Sequence, residues 1–181
     1  MLFTETPLRG SYIIDIEKKD DSRGFFARFW CQNEFKANNL VTNWVQANVS
    51  FSKSKGTLRG LHYQDDPYAE AKLVRCTRGA FFDIILDLRK NSSTFGEWFG
   101  VQLSADNHRM LYVPEGMAQS LITLVDNTEA NYLMSQFYTP QAEKGIRYDD
   151  PAFGIKWPIE IQVISEKDTN WPNYPRRTLI A

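Results

Sequence analysis

Trp44-Val45-Gln46-Ala47-Asn48-Val49-Ser50-Phe51 and, a short polar turn later, Gly56-Thr57-Leu58-Arg59-Gly60-Leu61-His62-Tyr63-Gln64 decide how this chain folds. In the first segment Val45, Ala47, Val49 and Phe51 alternate with Gln46, Asn48 and Ser50. That period of two sets successive side chains on opposite faces of a strand. The second segment is also strand-like, and in it His62 shares a row with Gly60 and Gln64. Arg59 has the opposite parity. Its guanidinium and the imidazole reach one pocket only if Gly60 marks a bulge or twist.

Working outward, residues 11–16 read as a strand, Lys18-Lys19-Asp20-Asp21-Ser22 as a polar turn and residues 25–30 as a second strand. Asn33 is placed to cap a short helix through Asn38. Further strands are predicted at 58–63, 72–77, 81–88, 98–103, 110–113, 119–125 and 132–137, punctuated by Arg78-Gly79, Asn91-Ser92-Ser93 and Pro114-Glu115-Gly116. Pro140, Pro151, Pro158, Pro172 and Pro175 make the last stretch an irregular, partly helical cover. No internal repeat, linker or low-complexity tract interrupts the pattern. The expectation is one all-β domain over 1–181, a jelly-roll barrel or sandwich with a few short helices, mostly near the C-terminus.

The 181 residues suffice for a sizeable core. Basic residues number 21 against 22 acidic, a net charge of −1, so neither nucleic acid nor a membrane surface is an expected partner. No apolar run reaches the ~20 residues of a membrane span, and Met1-Leu2-Phe3-Thr4-Glu5 lacks the basic and apolar regions of a signal peptide. The expected setting is the cytoplasm. Cys31 and Cys76 are too few for a disulfide framework.

His62, near Arg59 and Lys72, is the candidate general base, because imidazole titrates nearest neutrality. The competing reading is a hydrogen-bonded rim histidine. If the rows Gln46–Asn48–Ser50, Gly60–His62–Gln64 and Tyr132–Met134–Gln136–Tyr138 face inward, they wall a polar, aromatic pocket; facing outward, they are solvated surface. Jelly rolls often hold a metal on several histidines. Here His108, the second of two, lies in the turn-like Asp106-Asn107-His108-Arg109. The ligands are too few for a usual transition-metal site, so neither metal nor cofactor is expected.

Asp21-Ser22-Arg23-Gly24-Phe25-Phe26, Gln46-Ala47-Asn48-Val49-Ser50, Arg59-Gly60-Leu61-His62-Tyr63-Gln64 and Lys72-Leu73-Val74-Arg75 carry a resemblance. Asp87-Leu88-Arg89, Pro114-Glu115-Gly116, Tyr132 with Tyr138, Asp149-Asp150-Pro151, Trp157-Pro158 and Ser165-Glu166-Lys167-Asp168 continue it. In order along nearly the whole chain, these segments resemble the dTDP-4-dehydrorhamnose 3,5-epimerase family. The resemblance implies a metal-free cupin acting on a CDP- or dTDP-linked 4-keto-6-deoxysugar, in deoxysugar supply for O-antigen-type polysaccharide. It implies His62 as base, Asp168 as its orienting partner, Tyr132 as the acid on the opposite sugar face and Lys72 as stabiliser of the enolate. Arg23, Gln46, Asn48 and Arg59 would hold phosphates and sugar, with Phe26 and Tyr138 near the nucleobase. It also implies a homodimer in which the N-terminal strand of one subunit helps to form the other's site.

The chemistry needs these residue types. A 4-keto group acidifies the hydrogens on C3 and C5, and the enolate oxygen that forms requires a cation or donor. A carboxylate fixes the imidazole's tautomer, and inversion demands a proton donor on the other face. The sequence departs from the family twice. The family's Pro-Glu-Gly-Phe-Ala-His-Gly-Phe is here Pro114-Glu115-Gly116-Met117-Ala118-Gln119-Ser120-Leu121. Gln119 can donate a hydrogen bond but cannot exchange protons, which predicts epimerisation at C3 only. Arg28 stands where the family has a glutamate; with five donors and no acceptor it suits cytosine better than thymine, unless it faces solvent or a phosphate. The rival functions are a nucleotide-sugar 3,4-ketoisomerase and a non-catalytic sugar-nucleotide binder.

Overall fold

The computed structural model describes residues 1–175, which form β-strands and two short helices. In chain order these are β1 (Leu2–Glu5), β2 (Tyr12–Asp15), β3 (Lys19–Asp21), β4 (Gly24–Phe26), α1 (Gln32–Ala37), β5 (Gln46–Ser52) and β6 (Thr57–Gln64). Next come β7 (Lys72–Arg78), β8 (Ala80–Asp87), β9 (Trp98–Ser104), β10 (Met110–Val113), β11 (Met117–Thr123) and β12 (Thr128–Met134). β13 (Glu143–Gly145), β14 (Val163–Ile164) and α2 (Glu166–Thr169) complete the set. One antiparallel sheet runs β1-β2-β10-β7-β12-β5 and a second β13-β6-β11-β8-β9, with β14 added parallel to β6. The hairpin β3–β4 belongs to neither. This two-sheet, non-sequential order is the expected jelly roll.

Val74, Cys76, Phe81, Ile85, Leu103, Leu111 and Leu121, drawn from both sheets, form the core between them. On the first sheet α1 lays Phe35 against Ile14, Leu73, Met110 and Tyr112. Burying such a side chain contributes about 1.5–3 kcal/mol, so packing rather than propensity holds this six-residue helix. On the second sheet Ile146, Phe153 and Trp157 pack with Leu61, Ile84 and Leu86. That is the irregular cover that the prolines foretold.

Several boundaries differ from the sequence reading. The strand expected at 25–30 stops at Phe26, because its partner β3 is only three residues long. Residues 18–22, read as a turn, supply β3 itself. Helix α1 is preceded by Cys31 as its cap position with no side-chain cap, so Asn33 is not the cap. Of the two helices only α2 lies near the C-terminus. Strand β12 runs from Thr128 to Met134 rather than over 132–137: the turn at Asn127 (φ 53°) starts it earlier, and it ends opposite Gln46, the first residue of β5. The short edge strands β1, β13 and β14 are too brief to show a period.

Candidate active site

A cavity of about 410 Å³ lies among the strands of the two sheets. Gln46, Asn48 and Ser50 of β5 line it, as do Tyr132 and Met134 of β12 and Lys72 of β7 from the same sheet. Arg59 and His62 of β6 and Gln119 of β11 contribute from the second sheet. The polar row of β5 therefore faces inward, while Val49 and Phe51 are 66% and 40% exposed. The usual arrangement of a half-buried strand is inverted here, because the space between the sheets is a polar cavity at this point and not core.

Strands β6 and β11 pair with a slip that settles the Arg59 question. Gln119 stands opposite His62 and Leu121 opposite Arg59, so three steps along β6 match two along β11. The extra residue reverses the parity, and Arg59 and His62 both line the cavity. Gly60 makes this possible at φ +108°, where an added Cβ would lie 2.6 Å from the Gln119 carbonyl oxygen.

His62 Nε2 lies 2.5 Å from Asp168 Oδ1. Asp168 sits in α2, where Ser165 Oγ accepts from its backbone N–H at 3.1 Å, and its Oδ2 accepts from Gly60 N–H at 3.3 Å. Burial pushes the Asp168 carboxyl up, but the hydrogen bond and charge of His62, with help from Gly60, hold it below the ordinary carboxylate value. An ionised carboxylate only accepts, so it selects the Nε2–H tautomer and leaves Nδ1 as the basic nitrogen. The Trp171 ring meets the imidazole edge-on at 6.4 Å between centroids. It rests on Gly145, where a Cβ would come within 2.2 Å of the indole.

Lys72 is buried, donates to the His62 carbonyl oxygen at 3.1 Å and pairs with Glu70 Oε1 at 3.1 Å. Tyr132 belongs to the facing sheet. Burial raises its hydroxyl above the ordinary phenol value against the opposing charge of Arg59, which keeps it a proton donor. Arg59 Nε donates to Ser52 Oγ and its Nη2 to the Phe51 carbonyl oxygen, both at 3.0 Å. Gln46 Nε2 donates to Asn48 Oδ1 at 3.0 Å, and Gln46 Oε1 accepts from Tyr138 N–H at 3.2 Å. The Tyr138 hydroxyl donates to Glu143 Oε2 at 2.7 Å. Gln119 Nε2 donates to Asp83 Oδ1 at 2.6 Å.

The cavity thus gathers His62, Lys72, Tyr132, Gln46, Asn48, Arg59, Gln119 and Tyr138, with Asp168 behind His62. It does not include Arg23, Phe26 or Arg28. Phe26 is 70% exposed on β4, Arg23 pairs with Asp21 in the same hairpin, and Arg28 pairs with Glu34 at 2.9 Å. The expected row of Gln136 also fails beyond Met134, and Tyr138 reaches the cavity from a loop. Three carboxylates went unnoticed in the sequence: Glu70, Asp83 and Glu143. Asp83 carried the clearest signal, an acid inside the apolar run Phe81-Phe82-Asp83-Ile84-Ile85. Among the described residues no group of three or more His, Cys, Asp or Glu side chains could hold a metal ion.

The model of the dTDP-4-dehydrorhamnose 3,5-epimerase family matches residues 5–175. The chain belongs to this family. A family relative, the dTDP-4-dehydrorhamnose 3,5-epimerase of Methanothermobacter thermautotrophicus, is 45% identical over 172 residues, covering 93% of this chain and 92% of the relative. The crystal structure of the Elizabethkingia anophelis dTDP-4-dehydrorhamnose 3,5-epimerase superposes with a TM-score of 0.93 at 38% identity, covering 96% of each chain. A 3′-monoepimerase from Streptomyces bikiniensis, solved with dTDP-quinovose, gives a TM-score of 0.85 at 32% identity, covering 93% of this chain and 85% of that one.

Proposed function

We propose that this family member inverts C3 of a pyrimidine-nucleotide-diphospho-4-keto-6-deoxyhexose. The observation that carries the reading is an imidazole on one sheet, backed by a buried carboxylate from α2, with a half-buried phenol on the facing sheet of the same cavity. His62 Nδ1 removes the proton from the carbon beside the ketone, the enolate oxygen is met by Lys72, and Tyr132 returns a proton to the opposite face. Each positioned acid or base is worth ~10²–10⁴-fold. Gln119 lines the same cavity on the strand next to His62, and its amide cannot exchange protons, which supports inversion at C3 alone.

The deciding experiment is NMR of CDP- and dTDP-4-keto-6-deoxyglucose incubated with the protein in heavy water. Deuterium at C3 with an inverted centre is expected. Equal, full incorporation at C3 and C5 removes the C3 restriction, a carbonyl moved to C3 indicates a ketoisomerase, and no incorporation leaves only a binding protein. Arg28 supports a CDP-linked substrate, because its donors match the acceptors of cytosine; tighter binding of dTDP than of CDP overturns that part.

The reading includes a homodimer in which the hairpin β3–β4 of each subunit completes the other's site. The exposure of Phe26 and the absence of Arg23 and Arg28 from the lining of their own cavity support it. Mixing inactive His62→Asn and Arg23→Ala proteins is expected to restore activity through hybrid dimers; mixtures as inactive as their components exclude shared sites. The reaction belongs to deoxysugar supply for surface polysaccharide, in the cytoplasm. Among the described residues no helix is long and apolar enough to cross a membrane.

A further inference from the structure

The Lys72 ammonium has three N–H donors. Two are taken by the protein, at 3.1 Å to the His62 carbonyl oxygen and 3.1 Å to Glu70 Oε1. The third is left for the cavity that Lys72 lines. Glu70 is anchored in turn: its Oε2 accepts from the Gln64 backbone N–H at 3.1 Å. The contacts to β6 fall on His62 and Gln64, so this pair grips the strand at and just beyond the residue that carries the base. The side chains of Lys72 and Glu70 are only 8% and 3% exposed. Desolvating such a pair offsets most of its attraction, and apolar replacements are often neutral or stabilising. A pair of this kind is weak as a stability device and informative as a placement device.

We propose that Glu70 is a positioning residue of this active site. It holds the Lys72 ammonium in place, turns the free N–H toward the substrate's carbonyl oxygen and ties that electrophile to the strand of the base. The inference rests on the role proposed above for Lys72. The other charged or titratable groups of the wall are Arg59, His62, Tyr132, Tyr138, Tyr63 and Glu143, with Asp83 behind Gln119. Among the described residues Glu70 is the one carboxylate in ion-pair contact with Lys72.

The test compares Lys72→Ala, Glu70→Gln and Glu70→Asp by deuterium wash-in. Lys72→Ala is expected to be nearly inactive; if it keeps wild-type exchange, the role of Lys72 falls and this inference with it. Glu70→Gln is expected to lower kcat about tenfold with KM little changed. Deuterium wash-in at C3 should fall by the same factor, because the donor that meets the enolate oxygen is no longer held in place. A purely structural role lowers the melting temperature and leaves kcat and wash-in per folded protein at the wild-type level. An inactive Lys72→Ala beside a Glu70→Gln of wild-type kcat overturns the role of Glu70 alone. Should Glu70→Gln fail to fold, Glu70→Asp decides: a reduced kcat at unchanged KM upholds the positioning role, and a wild-type kcat removes it.

Discussion

His62 and Gln119 face one another on neighbouring strands, and each has a buried carboxylate behind it. The two carboxylates have opposite fates. Asp168 uses both oxygens, one toward His62 and one toward Gly60, and is held below the ordinary carboxylate value. Asp83 receives one hydrogen bond from Gln119, its Oδ2 has no partner, and burial pushes it up to about 7 against the pull of Gln119 and Lys72. A carboxylate near a ring of substrate is therefore not enough to make a base. Saturating its oxygens keeps it ionised, and an imidazole in front of it turns that charge into basicity; an amide cannot.

Removing the imidazole tests the comparison most severely. His62→Asn is expected to lower kcat by about 10³-fold or more, read as loss of deuterium incorporation at C3; residual turnover within tenfold of wild type breaks the assignment of the base. Asp168→Asn leaves the ring but frees its tautomer, and a fall of about 10²-fold in kcat is expected with substrate affinity retained. Gln119→His sharpens the contrast from the other side, since it sets an imidazole against Asp83 as His62 is set against Asp168. Exchange at C5 is expected to rise about tenfold over the wild-type level, and an unchanged C5 signal shows that position 119 does not limit the outcome.

The smallest effect is on stability. Asp83 holds its proton more tightly in the fold than in the unfolded chain. Its contribution is therefore complete below the ordinary carboxylate value and is lost as pH rises from there toward about 7, with an upper bound of roughly 4 kcal/mol. Asp168 runs the other way: its contribution is present above the ordinary value and lost as pH falls below it. Asp83→Asn should remove the Asp83-dependent gain in denaturant midpoint expected on acidification from pH 7 to 5. An unchanged slope means that Asp83 is ionised throughout.

The long strands were legible because side-chain period is local. Residues 46–52, 57–64, 72–78 and 80–87 announce themselves by alternation or by apolar runs bounded by turns. The dyad was legible only through resemblance, since no spacing rule links His62 to a residue 106 positions away. Glu70 was hidden outside any strand period, and Asp83 was visible as an acid in an apolar run without a partner to give it meaning.

By itself, then, the sequence determined the succession of the long strands, the polar row of β5 and the kinds of side chain available, because backbone preference and chemical type travel with each residue. Only the tertiary structure decided that Arg59 joins His62 in one cavity, that Asp83 backs Gln119 and that the hairpin β3–β4 stands apart. Each of those outcomes depends on how two distant segments pair, and a slip of one residue between β6 and β11 is a property of the pair that neither strand carries alone.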